Sequence, residues 1–320
     1  MAAVLVAVGV GFLGGMIIGR WYLAREAPVS AVADVATWES EEEVVPLPVP
    51  DLPPDVVPEP PPTMPKPTDA PAPMPESGEN VPAWRRNAVM SRVEPSLPMI
   101  AVVIDDMGVD RRRSDRIAIL PGPLTTSFLP YARDLPHQAA AARARGHELM
   151  VHVPMEPLGH MDPGPQVLEA GQPAEDLRSR LVLGLGHFSG FVGINNHMGS
   201  KFTADDQGMR VVMEELRARG LLFLDSMTTD RSLGGRLARS YGVPFVERDV
   251  FLDNEADVHL IRRQLARLEA VARQRGYAIA IGHPRDGTID ALAEWLPTLQ
   301  QRGFALVPVS AIVGRRFPAE

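Results

Sequence analysis

The chain has 320 residues, 45% of them hydrophobic and 22% charged, with a formal net charge of −8, 32 prolines and no cysteine. That length allows one large domain or two ordinary ones, and the lack of cysteine excludes a disulfide scaffold, a thiolate metal site and a cysteine nucleophile. The charge is local: residues 27–80 carry eleven acids against one base, Lys66, while residues 99–320 carry 27 acids and 26 bases, so no strongly basic face points to nucleic acid.

Residues 2–19 are uncharged and almost wholly apolar, and Arg20, Trp21, Tyr22 and Arg25 follow. Extended by Leu23 and Ala24, this run reaches the lower limit for spanning a hydrocarbon core, and Trp21 and Tyr22 suit a membrane interface. A cleavage site should stand directly after the run, yet the nearest small-x-small triplet, Ala31-Val32-Ala33, lies too far on. Residues 1–26 are therefore expected to be an uncleaved membrane anchor inserted through residues 2–24. Gly11, Gly15 and Gly19, four apart, either form a face for self-association or are merely tolerated in such a helix. The basic residues follow the span, which by charge counting alone would leave the remainder in the cytoplasm.

Eighteen of the 32 prolines lie between Pro28 and Pro98. Runs such as Pro58-Glu59-Pro60-Pro61-Pro62 cannot form helices or central strands and favour extended polyproline II. Residues 27–98 are expected to be a Pro-rich, acidic, disordered linker acting as a spacer.

Residues 99–313 are the part able to form a core. Strands are expected at 99–104, 124–129, 148–153, 191–194, 221–224, 244–247, 277–281 and 304–307. Helices are expected at 110–120, 135–145, 174–185, from Thr203 as N-cap to Arg219, 232–241, 257–275 and 289–302. Short apolar strands alternating with amphipathic helices argue a parallel sheet with helices outside. Seven or eight such units suit an irregular (β/α) barrel, with an open doubly wound sheet as the alternative. No Gly-x-Gly-x-x-Gly follows the first strand, which weakens a dinucleotide reading.

Barrel active sites lie at the C-terminal ends of the strands. Read in order, those ends carry Asp105-Asp106, His152 with Glu156, Asn195-Asn196-His197, Asp225, Arg248-Asp249 and His283. Two adjacent carboxylates repel unless a cation or a shared proton intervenes; one can ligate an ion while the other takes a proton from water, or the pair is an acidic turn before the next helix. His152 and Glu156 suit a divalent ion of the zinc, manganese or iron type. His197 can be a ligand, while Asn195, Asn196 and Ser200 can contact substrate or orient other groups, though Asn and Gly also build ordinary turns. His283, followed by Pro284 and Arg285, is placed to act as a general acid. Asp225 and Asp249 can orient a histidine or cap a helix. His147 reads as turn chemistry and Lys201 as surface.

At these residues the chain resembles the divergent polysaccharide deacetylases, relatives of the metal-dependent carbohydrate deacetylases. The resemblance is carried by Val103-Ile104-Asp105-Asp106-Met107-Gly108, His152-Val153-Pro154-Met155-Glu156-Pro157, Asn195-Asn196-His197-Met198-Gly199-Ser200 and Ile281-Gly282-His283-Pro284. It implies Asp105 as catalytic base, Asp106 and His152 as metal ligands and His283 as catalytic acid. The Gly146-His147-Glu148 opening of the second motif is kept, but Glu156 stands where a second ligand histidine belongs, so Glu156 ligates, His197 takes over, or the site binds metal weakly. The Arg-x-Pro-Tyr segment of ordinary members is absent, and residues 195–200 occupy its place.

The resulting expectation is hydrolysis of an acetyl group on an envelope polysaccharide or peptidoglycan, assisted by a divalent ion, zinc by preference. No other cofactor and no nucleic acid are expected. The protein would sit in the inner membrane with its domain in the periplasm. The competing expectation, prompted by Glu156, is a catalytically inactive envelope factor that binds a glycan or a protein.

Overall fold

The computed structural model describes residues 81–318 apart from 92, 93 and 95. The expected anchor, its glycines Gly11, Gly15 and Gly19, and the linker up to residue 80 lie outside the described residues. Among those described, no helix is long and apolar enough to cross a membrane.

The strands are β1 (Met99–Met107), β2 (Thr125–Phe128), β3 (Glu148–Met155), β4 (Gly193–Met198), β5 (Leu222–Asp225), β6 (Phe245–Glu247), β7 (Val250–Phe251), β8 (Tyr277–Gly282) and β9 (Ala305–Leu306). The helices are α1 (Ala83–Arg86), α2 (Arg111–Ala118), α3 (Leu135–Ala144), α4 (Ala174–Leu185), α5 (Asp206–Arg219), α6 (Gly234–Tyr241), α7 (Val258–Arg275), α8 (Asp286–Trp295) and α9 (Val309–Arg316). All strand pairings are parallel, in the order β6-β5-β4-β3-β2-β1-β8-β7, with β9 beside β1. The two ends of this path are successive pieces of one stretch of chain. The Arg248 amide donates to the Asp225 carbonyl next to β6 (3.0 Å), and the following amide, Asp249, donates to Ile279 of β8 (2.9 Å). This parallel α/β sheet fits a (β/α) barrel.

Successive side chains of a strand point to opposite faces, and here they enter two cores. Ile100, Val102 and Ile104 of β1 join a large cluster with helix residues such as Ile117, Leu181, Val212 and Leu265. Ala101 and Val103 join a second cluster with Met150, Leu222, Leu224, Val246, Ile279 and Ile281. β1 and β5 are not neighbours in the sheet, so their meeting in this cluster requires the sheet to curve around it. Burial on both faces is why the strands read as unbroken apolar runs. At Gly193 the neighbouring strand comes so near that a Cβ would lie 2.1 Å from the Leu222 carbonyl oxygen.

Two segments outside the expected elements close the inner core at the N-terminal ends of the strands. Val309, Ile312 and Val313 of α9 and Trp84 of α1 belong to that cluster. The Trp84 amide donates to the Gly220 carbonyl (2.9 Å), and the Asn87 side chain donates to Phe191 (2.8 Å). The end of the stretch read as linker is thus attached to the folded unit, and the unit extends past residue 313 through α9. Buried Glu148 accepts from the Ser310 amide (3.0 Å) and hydroxyl, and so caps α9 from β3.

Three helix boundaries differ from expectation. Asp205 rather than Thr203 caps α5, accepting from the Gly208 amide (2.9 Å), while the Thr203 hydroxyl donates to Gly199 within a preceding 3-10 turn. α8 begins at Asp286 rather than at residue 289 and gives way after Trp295 to a 3-10 turn that contains Pro297, because proline cannot donate within a helix.

Candidate active site

The inner-core alternation continues beyond the apolar residues and builds the site. Two residues past Val103, Met150, Leu224, Val246 and Ile281 stand Asp105, His152, Ser226, Arg248 and His283, and Asn195 and His197 share one face of β4. Asp106 is out of phase. The β1–β2 register shifts between Ile104 and Met107, and Asp106 takes a left-handed φ of 55°. That bulge turns its carboxylate back into the mouth, at a cost of about 1–3 kcal/mol for a non-glycine residue. Met198 (φ 53°), the last residue of β4, and Met227 (φ 50°), two residues past β5, share the conformation.

The side chains meet in a cavity of about 570 Å³ lined by Asp105, Asp106, His152, His197, Arg248 and His283 among others. Asp106 Oδ1 lies 2.9 Å from His197 Nδ1 and 3.4 Å from His152 Nε2, and the two imidazole nitrogens are 3.2 Å apart. Beneath them, fully buried Asn195 ties the site together. Its Nδ2 donates to both oxygens of Asp105 (2.8 and 3.0 Å), and its Oδ1 accepts from the Ser127 hydroxyl (2.5 Å). A carboxylate only accepts, so the amide nitrogen must face Asp105 and the amide oxygen must face His152 Nδ1 (2.9 Å). In its neutral form His152 therefore carries its proton on Nδ1, which leaves the Nε2 lone pair available to ligate an ion.

The charges are strongly perturbed. Burial raises the pKa of Asp105. Burial would raise Asp106 as well, but the imidazoles of His152 and His197 hold it well below the usual carboxylate range. Burial opposes protonation of His152, yet Asp105 and Asp106 outweigh it and raise its pKa.

On the other side of the cavity, the His283 amide and Nδ1 both donate to Asp253 (2.7 and 2.8 Å), whose carboxylate also accepts from Thr288 (2.7 Å). Burial would lower the His283 pKa, but Asp253 overrides it and raises it. His283 Nε2 faces the cavity, 3.9 Å from Asp106 Oδ2. Asp253 was not foreseen. It stands two residues past Phe251, the inner residue of β7, and the apolar run before it, Val250-Phe251-Leu252, is only three residues long, shorter than the runs read as strands. Arg248 was visible at a strand end but had no assigned role.

Asn196, Ser200 and Arg285 also line the cavity. Asn196 accepts from the Ser226 amide (2.9 Å), and the Ser200 hydroxyl accepts from the Leu158 amide (2.8 Å). Three expected residues are elsewhere. Asp249 is paired with Arg275 and accepts from the Ile279 amide (2.9 Å). Beyond Met155 the chain pairs with the Leu168 loop, the Glu156 amide donating to Leu168 (2.9 Å). This carries the Glu156 carboxylate to Lys201 Nζ (2.6 Å) and the Ala170 amide (2.9 Å), away from the imidazoles. Asp225 accepts from the Met227 amide (2.9 Å) and Ser232 hydroxyl (2.6 Å), stabilising a turn outside the cavity.

The donor set fits a divalent ion. Asp106, His152 and His197 each offer one ligand atom within 4.8 Å of the others, and Asp106 Oδ1 is buried with no hydrogen bond among the described residues. A carboxylate and two imidazoles suit zinc and comparable ions.

Residues 102–313 match the family described as divergent polysaccharide deacetylase. The chain belongs to this family. It is 33% identical over 202 residues to an uncharacterized protein of Haemophilus influenzae, covering 63% of this chain and 72% of that one. It is 35% identical over 203 residues to the uncharacterized protein YibQ of Escherichia coli, spanning 62% of this chain and 63% of YibQ, just under two thirds of its length. A crystal structure of an uncharacterized Agrobacterium tumefaciens protein superposes with a TM-score of 0.71 at 31% identity, covering 72% of this chain and 95% of that one.

Proposed function

We propose that the chain is a metal-dependent deacylase that removes acetyl groups from a cell-envelope polysaccharide or peptidoglycan. The observation that carries this reading is one cavity holding a convergent Asp106–His152–His197 set between a buried carboxylate and a carboxylate-backed imidazole. A divalent ion held by those three residues would polarise the acyl carbonyl and acidify water. Asp105, immobilised by Asn195, removes the proton of the attacking water. His283, held by Asp253, gives the Nε2 proton to the departing amine or alkoxide as the bond from the acyl carbon breaks, and acetate leaves. Within this proposal residues 1–26 anchor the protein in the inner membrane and residues 27–80 are the spacer to a domain in the periplasm; the apolar run supports the anchor and the proline content the spacer.

Acetate release from acetylated peptidoglycan and acetylated polysaccharide, with and without chelator, tests the reading. Chelation and Asp106→Asn should abolish release, and Asp105→Asn should slow it by about 10²–10⁴. His197→Ala should act like Asp106→Asn, whereas Glu156→Gln should change little. A chain that takes up no divalent ion and releases no acetate would instead be a glycan-binding envelope factor.

A further inference from the structure

Beyond its carboxylates and imidazoles, the cavity is lined by two arginines, Arg248 and Arg285. Arg248 is half-buried and lies over the Phe251 ring, 5.1 Å from its centroid. Its guanidinium donates to the carbonyls of Ser226 (2.7 Å) and Met227 (2.8 Å). Arg285, exposed at the mouth, donates to the Asp253 carbonyl (2.5 Å). Among the described residues neither has a carboxylate within 4.0 Å, whereas Arg113 and Arg116 share Asp286 and Lys201 is paired with Glu156.

Main-chain carbonyls orient a guanidinium without neutralising it. Part-burying such a charge is costly unless an anion completes it. Asp105 and Asp225 act on Arg248 only through space, with no ion pair within 4.0 Å among the described residues; the Asp105 carboxylate accepts from Asn195, and Asp106 faces the imidazoles. Asp105 and Asp106 balance the two arginines in number, and a divalent ion at Asp106 would make the cavity net positive. A planar guanidinium fork is matched by carboxylate and phosphate, and neither is supplied by a neutral acetylated sugar.

We infer that the cavity recognises a sugar bearing an anionic substituent, a carboxylate or a phosphate, next to its acylated position, with Arg248 as the deep contact and Arg285 as the contact at the mouth. This rests on the deacylase reading for the identity of the sugar, but the anion site stands on the two arginines alone.

The test is calorimetric or NMR titration of the full chain with three probes of nearly equal size: N-acetylglucosamine, N-acetylmuramic acid, which adds a carboxylate, and N-acetylglucosamine 6-phosphate. At least one anionic probe should bind tenfold or more tightly than the neutral one. Which of the two binds more tightly identifies the anion. Arg285→Gln and Arg248→Gln should each narrow the ratio of anionic to neutral affinity, and Arg248→Lys should partly restore it. Arg285 is exposed, so its variant reports even where Arg248→Gln disturbs the fold. Equal affinity for all three probes, no measurable binding of any, or a ratio unmoved by either glutamine variant overturns the inference. Preserved anion preference without acetate release from any acetylated substrate would sink the deacylase reading and leave the anion site standing.

Discussion

Asp105 and Asp106 are neighbours in sequence with opposite electrostatic fates. Asp105 keeps strand geometry, points inward and is buried against Asn195; the left-handed turn at Asp106 swings its carboxylate to two imidazoles. Asn195 holds Asp105 in place and fixes the His152 tautomer, although it would touch no metal itself. Asn195→Ala is therefore expected to weaken divalent-ion affinity by about 10–100-fold, as loss of a partner behind a ligand histidine does. Calorimetric zinc titration of the folded variant measures this, and an unchanged affinity would assign Asn195 to packing alone. The pairing was legible in part: the residue types at the strand ends marked a metal-capable rim, but nothing in the spacing of Asp105 and Asn195 announced their contact.

At the scale of elements, helices were legible where their caps are local. Asp110 accepts from the Arg113 amide and Asp257 from the His259 amide, within reach of sequence reading. α9 was not legible because its N-terminus is capped by Glu148 from a distant strand. α1 depends on burying Trp84 against the inner core. Trp84→Ala should lower unfolding stability by about 3–5 kcal/mol, visible as a lower denaturant midpoint; a value below about 1 kcal/mol would mean that this segment does not belong to the cooperative unit.

α2 and α8 are joined through Arg113 and Arg116 on Asp286. These arginines hold the Asp286 pKa at about 2, below its ordinary 3.8. A depressed carboxylate pKa contributes stability that is complete above the unfolded pKa and is lost as pH falls through the folded one. The difference in stability between the wild type and Asp286→Asn should therefore shrink between about pH 4 and pH 2. It should also be small and fall with added salt, because the pair is solvent-exposed. Acid unfolding curves at two salt concentrations check this, and a difference independent of pH would rule out the ion pairs as its source.

Over the whole molecule, the three candidate ligands come from three strands. Asp106, His152 and His197 lie in β1, β3 and β4, so an ion bound to them favours the folded state over the unfolded one. At about 100 times its dissociation constant, such an ion adds about 2.7 kcal/mol, equivalent to several degrees in Tm for a domain of this size. Thermal scans with and without zinc should show that rise in the wild type and not in Asp106→Asn. A rise of equal size in the variant would place the ion elsewhere.

The amino-acid sequence by itself determined the alternation of strand and helix, the parallel sheet and the ring of polar residues two positions past the apolar runs. These follow from local periodicity, which burial on both faces of a sheet imposes directly. Tertiary structure alone decided which polar residues meet. It sent Glu156 to Lys201, because the chain beyond Met155 pairs with the Leu168 loop, and brought His197 to Asp106 in its place. It also set Asp253 behind His283 and left Arg248 and Arg285 without a carboxylate within 4.0 Å among the described residues. Such choices depend on register and strand curvature, which join residues far apart in sequence.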